Sequence, residues 1–149
     1  MLEVIPPTPE QSASNKEQDM SLSRILHVDD DEDIRTIVQL ALEVVGSFDV
    51  MQFSNGHEAV AAAQGFAPQL LLLDVMMPEM SGLDVWKSII AMPGLSHVPA
   101  IFVTAKAEDE FSRGLVSDGA LAVITKPFDP MTLAQDVNDI WERAMRKAG

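Results

Sequence analysis

The chain has no cysteine among its 149 residues, which excludes disulfides and thiolate metal sites and suits a reducing compartment. Histidine is scarce as well. His27, His57 and His97 lack metal-ligand spacing, so structural or surface roles are expected of them and zinc is not. Basic residues are few and scattered: ten Lys and Arg face 23 Asp and Glu, for a formal net charge of −13. Neutralising nucleic-acid phosphates takes clustered cations, so no nucleic-acid partner is expected. No apolar run is long enough to span a bilayer, and the start lacks the basic segment and continuous apolar core of a signal peptide. The expectation is a soluble, cytoplasmic protein with no membrane partner.

What is present suits one domain with a full core. Residues 1–23, with three prolines, many small polar residues and only Val4 and Ile5 as β-branched apolar residues, read as a flexible N-terminal tail. That tail holds four acids and one base, so residues 24–149 keep a net charge of −10 and the acidity belongs to the domain. Five short apolar runs follow: RILHV (24–28), FDVMQF (48–53), QLLLL (69–73), AIFVT (100–104) and LAVIT (121–125). Each reads as a strand, mostly buried on both faces. Helix-length segments lie between and after them, at 32–45, 56–64, 83–91, about 106–117, and from Pro130 onward. In the first, Ile34, Ile37, Val38, Ala41 and Val45 share one face; in the last, Leu133, Val137, Ile140 and Trp141 do. Strands alternating with helices predict an α/β, three-layer, doubly wound five-stranded parallel sheet.

Such sheets bind ligands beyond the carboxyl ends of their strands. There the sequence sets Asp29 and Asp30 after the first strand, Asp74 after the third, Thr104 closing the fourth and Lys126 after the fifth. The second ends in Ser54 and Asn55, a turn and helix cap. Three carboxylates, a hydroxyl and an ammonium on one rim suit phosphoryl transfer. Clustered carboxylates raise one another's pKa unless a hard divalent cation joins them, and Mg²⁺ fits an all-oxygen site. An Asp can attack phosphorus to form an acyl phosphate. Lys126 can then pair with a phosphoryl oxygen and Thr104 can donate to one. Asp74 is the nucleophile candidate, since it closes the most apolar strand and leads into the turn VMMPEMSG, marked by Pro78 and Gly82. Met76, Met77 and Met80 read as apolar packing near that loop, although the Met76 backbone carbonyl lies within reach of a cation bound at Asp74.

The motifs VDDDEDIR, LLLDVMMPEMSG, AIFVTAKAEDE and AVITKPFDPMTL resemble the response-regulator receiver domain of two-component signalling, the CheY-like family, over about residues 24–149. The resemblance implies a flavodoxin-like fold with strand order 2-1-3-4-5. It also implies that Asp74 is the phosphoacceptor, served by a histidine kinase or a histidine phosphotransfer protein, and that an unknown downstream protein is the target. By the same resemblance, Asp30 is the direct Mg²⁺ ligand, Asp29 acts through bound water, Met76 lends its carbonyl, Thr104 is the switch hydroxyl and Lys126 the pairing cation. The Lys126–Pro127 peptide is expected to be cis, and Met76 and Lys106 occupy positions that tune phosphoryl lifetime. The sequence departs from the family at Val123, where many members carry an aromatic that swings inward, so coupling of that aromatic to Thr104 is not expected.

The leading expectation is a stand-alone, phosphorylation-controlled binding module whose chemistry acts only on itself, because the chain ends at Gly149 just after the fifth helix. A haloacid-dehalogenase-type phosphatase needs an acidic pair with one residue between and a cap; here Val75 and Met76 follow Asp74 and no length is left for a cap. A phosphorylation-independent adaptor stays open through Val123, as does a receiver taken from a hybrid kinase or larger regulator through the linker-like tail. In the run HVDDDED, Asp29 and Asp30 are assigned to the metal pocket, while Asp31, Glu32 and Asp33 are assigned to the start of the first helix.

Overall fold

In the computed structural model, which describes residues 21–106 and 109–148, five parallel strands form one sheet in the order β2-β1-β3-β4-β5. They are β1 (Arg24–Val28), β2 (Asp49–Phe53), β3 (Leu70–Asp74), β4 (Ala100–Thr104) and β5 (Ala122–Thr125). The helices are α1 (Glu32–Gln39), α2 (Gly56–Phe66), α3 (Gly82–Ile90), α4 (Glu110–Ser117) and α5 (Leu133–Ala148). The central strands explain the layering. Leu71, Leu73, Ala100 and Phe102 face one core with Ala59 and Ala63 of α2, Val85 and Ile89 of α3 and Leu115 of α4. Leu70, Leu72, Ile101 and Val103 face the other with Val38 of α1 and Leu133, Val137 and Trp141 of α5. Period-2 alternation thus divides one continuous apolar run between two cores. Each wholly buried Leu of β3 contributes on the order of 2–3 kcal/mol.

Burial on both faces holds for β3 and β4 and almost wholly for β1, but β2 and β5 are half-exposed. They are the edge strands, so each is covered by fewer neighbours. The first helix also departs from a regular stripe. After Gln39 the chain continues as a π-helix, Leu40–Val45. Its wider turns rotate each residue less, which shifts the apolar stripe: Ala41 and Leu42 are buried, whereas Val45 is 51% exposed. α4 starts at Glu110 rather than 106 because Asp109 caps it, accepting from the Ser112 N–H at 2.8 Å. Asp31 caps α1 and Asn55 caps α2, as their positions in the sequence suggest.

Most of the tail read from composition lies outside the described residues. Its last three residues engage the domain: Leu22 is buried in the α1–α5 core and the Ser23 N–H donates to Gln69 Oε1 at 2.8 Å. His27 is buried in β1, while His57 and His97 are exposed. Among the described residues, no helix is long and apolar enough to cross a membrane.

Candidate functional site

β1 and β3 are adjacent and parallel, so Asp29 and Asp74 emerge side by side at the same end of the sheet, each after a run that can only be core. Carboxylate oxygens of Asp29, Asp30 and Asp74 lie within 4.8 Å of one another. Lys126, delivered by the loop after β5, sets Nζ 2.8 Å from Asp29 Oδ2 and 3.4 Å from Asp74 Oδ1. The Lys126–Pro127 peptide is cis. A cavity of about 460 Å³ opens beside these groups, lined by Asp74, Met76, Thr104, Lys106, Phe111 and Lys126. All the residues singled out at the strand ends therefore share one rim, although Asp74 is the last residue of β3 rather than the first of the loop.

The carboxylates are held differently. Asp29 is fully buried; Oδ1 accepts the Asp31 N–H at 2.9 Å, and the Asp29 N–H donates to the Phe53 carbonyl at 3.2 Å. Its Oδ2 touches the Lys126 ammonium as an ion pair but has no hydrogen bond of good geometry. Asp30 is exposed and Asp74 buried. Burial, then the Asp29 charge, pushes the Asp74 carboxyl up to about 6, against the opposing pull of Lys126. At Lys126, burial pulls the ammonium down, and Asp29 and Asp74 more than reverse this, leaving its pKa raised. A buried carboxylate oxygen held by an ion pair but by no well-formed hydrogen bond, inside a three-carboxylate cluster, fits a hard divalent cation with oxygen ligands.

Thr104 Oγ1 accepts the Lys106 N–H at 3.2 Å, and the buried Ser112 Oγ donates to the Lys106 carbonyl at 2.9 Å. Val123 packs half-buried against the α2–α3–α4 core, in register with Phe102. Met77 and Met80 do pack against that core, but Met76 does not: it is 77% exposed at the cavity rim, because the chain turns outward immediately after the buried Val75. Gly82 has a role beyond the turn expected of it. A Cβ there would lie 2.2 Å from the Asp74 carbonyl oxygen, so the start of α3 can press against the end of β3 only without a side chain. Phe111 and Ser112 also line the cavity, and an isolated Phe or Ser in a helix carries no positional signal in the sequence.

The response regulator receiver domain model matches residues 25–138. The chain belongs to that family. The receiver domain is 38% identical over 122 residues to the alkaline phosphatase synthesis transcriptional regulatory protein PhoP of Bacillus subtilis, covering 81% of this chain and 49% of the relative. It is 28% identical over 145 residues to histidine kinase P4 of Formosa agariphila, covering 97% of this chain and 10% of the kinase. The receiver thus spans about half of the first relative and a tenth of the second. Among solved structures, the chemotaxis protein CheY4 of Vibrio cholerae superposes with a TM-score of 0.73 at 28% identity, over 80% of this chain and 99% of that one. The strand order implied by the sequence resemblance is the one observed, and the receiver is a module of two-component signalling.

Proposed function

We propose that this receiver takes a phosphoryl group onto Asp74 from a histidine kinase or a histidine phosphotransfer protein, in a Mg²⁺-dependent reaction in the cytoplasm. It then signals through phosphorylation-dependent protein contacts. The observation that carries this reading is the convergence of Asp29, Asp30 and Asp74 within 4.8 Å, with Lys126 ion-paired to two of them. In the transfer, an Asp74 carboxylate oxygen bonds to phosphorus as the donor's P–N bond breaks, and the imidazole nitrogen leaves with that electron pair and takes up a proton. Lys126 exchanges its contact with Asp74 for one with a phosphoryl oxygen, while the Thr104 hydroxyl turns from the Lys106 N–H to donate to another. Asp29, Asp30, Asp74 and the Met76 carbonyl would hold the Mg²⁺, which when bound neutralises phosphoryl charge. No other substrate is needed, so the domain catalyses only its own phosphorylation and dephosphorylation.

The test is labelling by Mg²⁺ with acetyl phosphate or a phosphorylated kinase. Equal labelling of wild type and Asp74→Ala would sink the assignment. The half-buried Val123 favours a second reading, an adaptor indifferent to phosphorylation. Partner affinity that does not change on adding beryllofluoride, a phosphoryl mimic, would select it. The modest share of each relative that the chain covers also suits a receiver operating within a larger regulator or hybrid kinase.

A further inference from the structure

Two polar residues that the phosphoryl chemistry does not use, Arg35 of α1 and Gln52 of β2, are joined by hydrogen bonds to the acidic pocket. Arg35 Nη1 donates to the backbone carbonyl of Asp29 at 2.9 Å. That carbonyl belongs to the peptide group whose N–H is Asp30's, so the guanidinium holds the plane from which the Asp30 side chain departs. Arg35 is held in turn. Gln52 Nε2 donates to the Arg35 carbonyl at 2.8 Å and sits 3.0 Å from His27 Nδ1, so one amide group spends both protons bridging β1, β2 and α1. His27 is buried, and because an amide nitrogen only donates, its Nδ1 accepts from Gln52. Asp29 has further anchors at its N–H and at both carboxylate oxygens. Asp30, exposed at the pocket rim, depends on the peptide plane that Arg35 grips.

We infer that Arg35 is a positioning residue: with its backbone tied to β2 by Gln52, which His27 holds, it fixes the Asp29–Asp30 peptide so that the Asp30 carboxylate stays aimed at the cation site between Asp29 and Asp74. The inference rests on the proposed Mg²⁺ pocket. Charge alone has the opposite sign. A guanidinium beside the pocket repels Mg²⁺, so removing it without any positioning effect tightens binding. Losing an orienting contact loosens it, by about 10–100-fold where outer-shell partners of metal ligands have been removed.

The experiment is calorimetric titration of the full chain with MgCl₂, well below each variant's melting point. Wild type, Arg35→Met, Gln52→Leu and the exposed α1 control Thr36→Ala are compared. Arg35→Met is expected to bind Mg²⁺ about 10-fold more weakly, and Gln52→Leu, which leaves the charge unchanged, is expected to weaken in the same direction. Thr36→Ala, whose exposed hydroxyl donates to the Glu32 carbonyl of its own helix, should match wild type. Arg35→Met binding as tightly as wild type or tighter overturns the inference. If Arg35→Met does not fold, Gln52→Leu decides it, with unchanged affinity overturning it. Wild-type protein that takes up no Mg²⁺ refutes the pocket reading itself and the inference with it, an outcome distinct from binding that the variants leave intact.

Discussion

Replacing Asp74 with Asn should stabilise the metal-free protein while abolishing its phosphorylation. In the fold, burial and the neighbouring Asp29 raise the Asp74 carboxyl from its ordinary 3.8 to about 6. A carboxyl whose folded pKa is raised binds more protons in the native state than in the unfolded one at intermediate pH, so its ionisation erodes stability as pH rises from about 4 to 6 and the loss is constant above. At ~1.4 kcal/mol per pH unit, the gap between 3.8 and about 6 sets a ceiling of about 3 kcal/mol. Asp74 sits at a cavity mouth open to water, which lowers the expected gain from Asp74→Asn to about 1–3 kcal/mol at pH 7.5, or roughly 3–9 °C in melting temperature. By pH 5 about half of that gain should be gone, because the native wild-type carboxyl is then mostly protonated. Urea melts in EDTA at the two pH values measure the difference, and added Mg²⁺ should narrow it by stabilising the wild type. A variant no more stable than wild type at pH 7.5, or a gain equal at both pH values, would refute the reasoning; the second result would assign the effect to packing.

Lys126→Met leaves Asp29 Oδ2 buried without its cation and should cost about 2–4 kcal/mol in EDTA, with Mg²⁺ restoring much of it in parallel urea melts. Gly82→Ala places a Cβ 2.2 Å from the Asp74 carbonyl oxygen, so backbone must move; a loss of about 3 kcal/mol or more in urea melts, with slowed labelling by acetyl phosphate, is expected. Ser112→Ala removes the hydroxyl that holds the Lys106 carbonyl and should cost only about 1 kcal/mol, seen as faster amide exchange at Lys106.

The architecture was legible because parallel strands advertise themselves. Leu70 to Leu73 and Ala100 to Val103 are apolar at every position, which only a sheet covered on both faces accommodates, and Asp31 and Asn55 mark helix starts by side-chain chemistry that acts within three residues. What escaped has no such local trace. Edge or centre is a property of strand order, so β2 and β5 looked as buried as their neighbours. The π-helical turn at Leu40–Val45 changes the period in mid-helix, which moves Val45 out of the stripe that a constant 3.6-residue spacing draws for it.

At the site, the residue types could be read from the strand ends, but their division of labour required contacts that cross between elements. Five consecutive acids from Asp29 to Asp33 persist in one run because the run is compensated in several different ways along its length. Asp29 is buried against Lys126, Asp30 faces water at the pocket, and Asp31 accepts from the Asp33 and Ile34 amides; Glu32 and Asp33 occupy a first helical turn, where negative charge favours the exposed N–H groups. The run is therefore a junction between strand and helix as much as a metal site. Arg35, six residues on from Asp29, returns from the helix to the Asp29–Asp30 peptide just past the end of β1 and ties strand end and helix together. A tether of that kind joins a helix side chain to backbone outside the helix, so it follows neither the period of a helix nor that of a strand, and only the folded geometry reveals it.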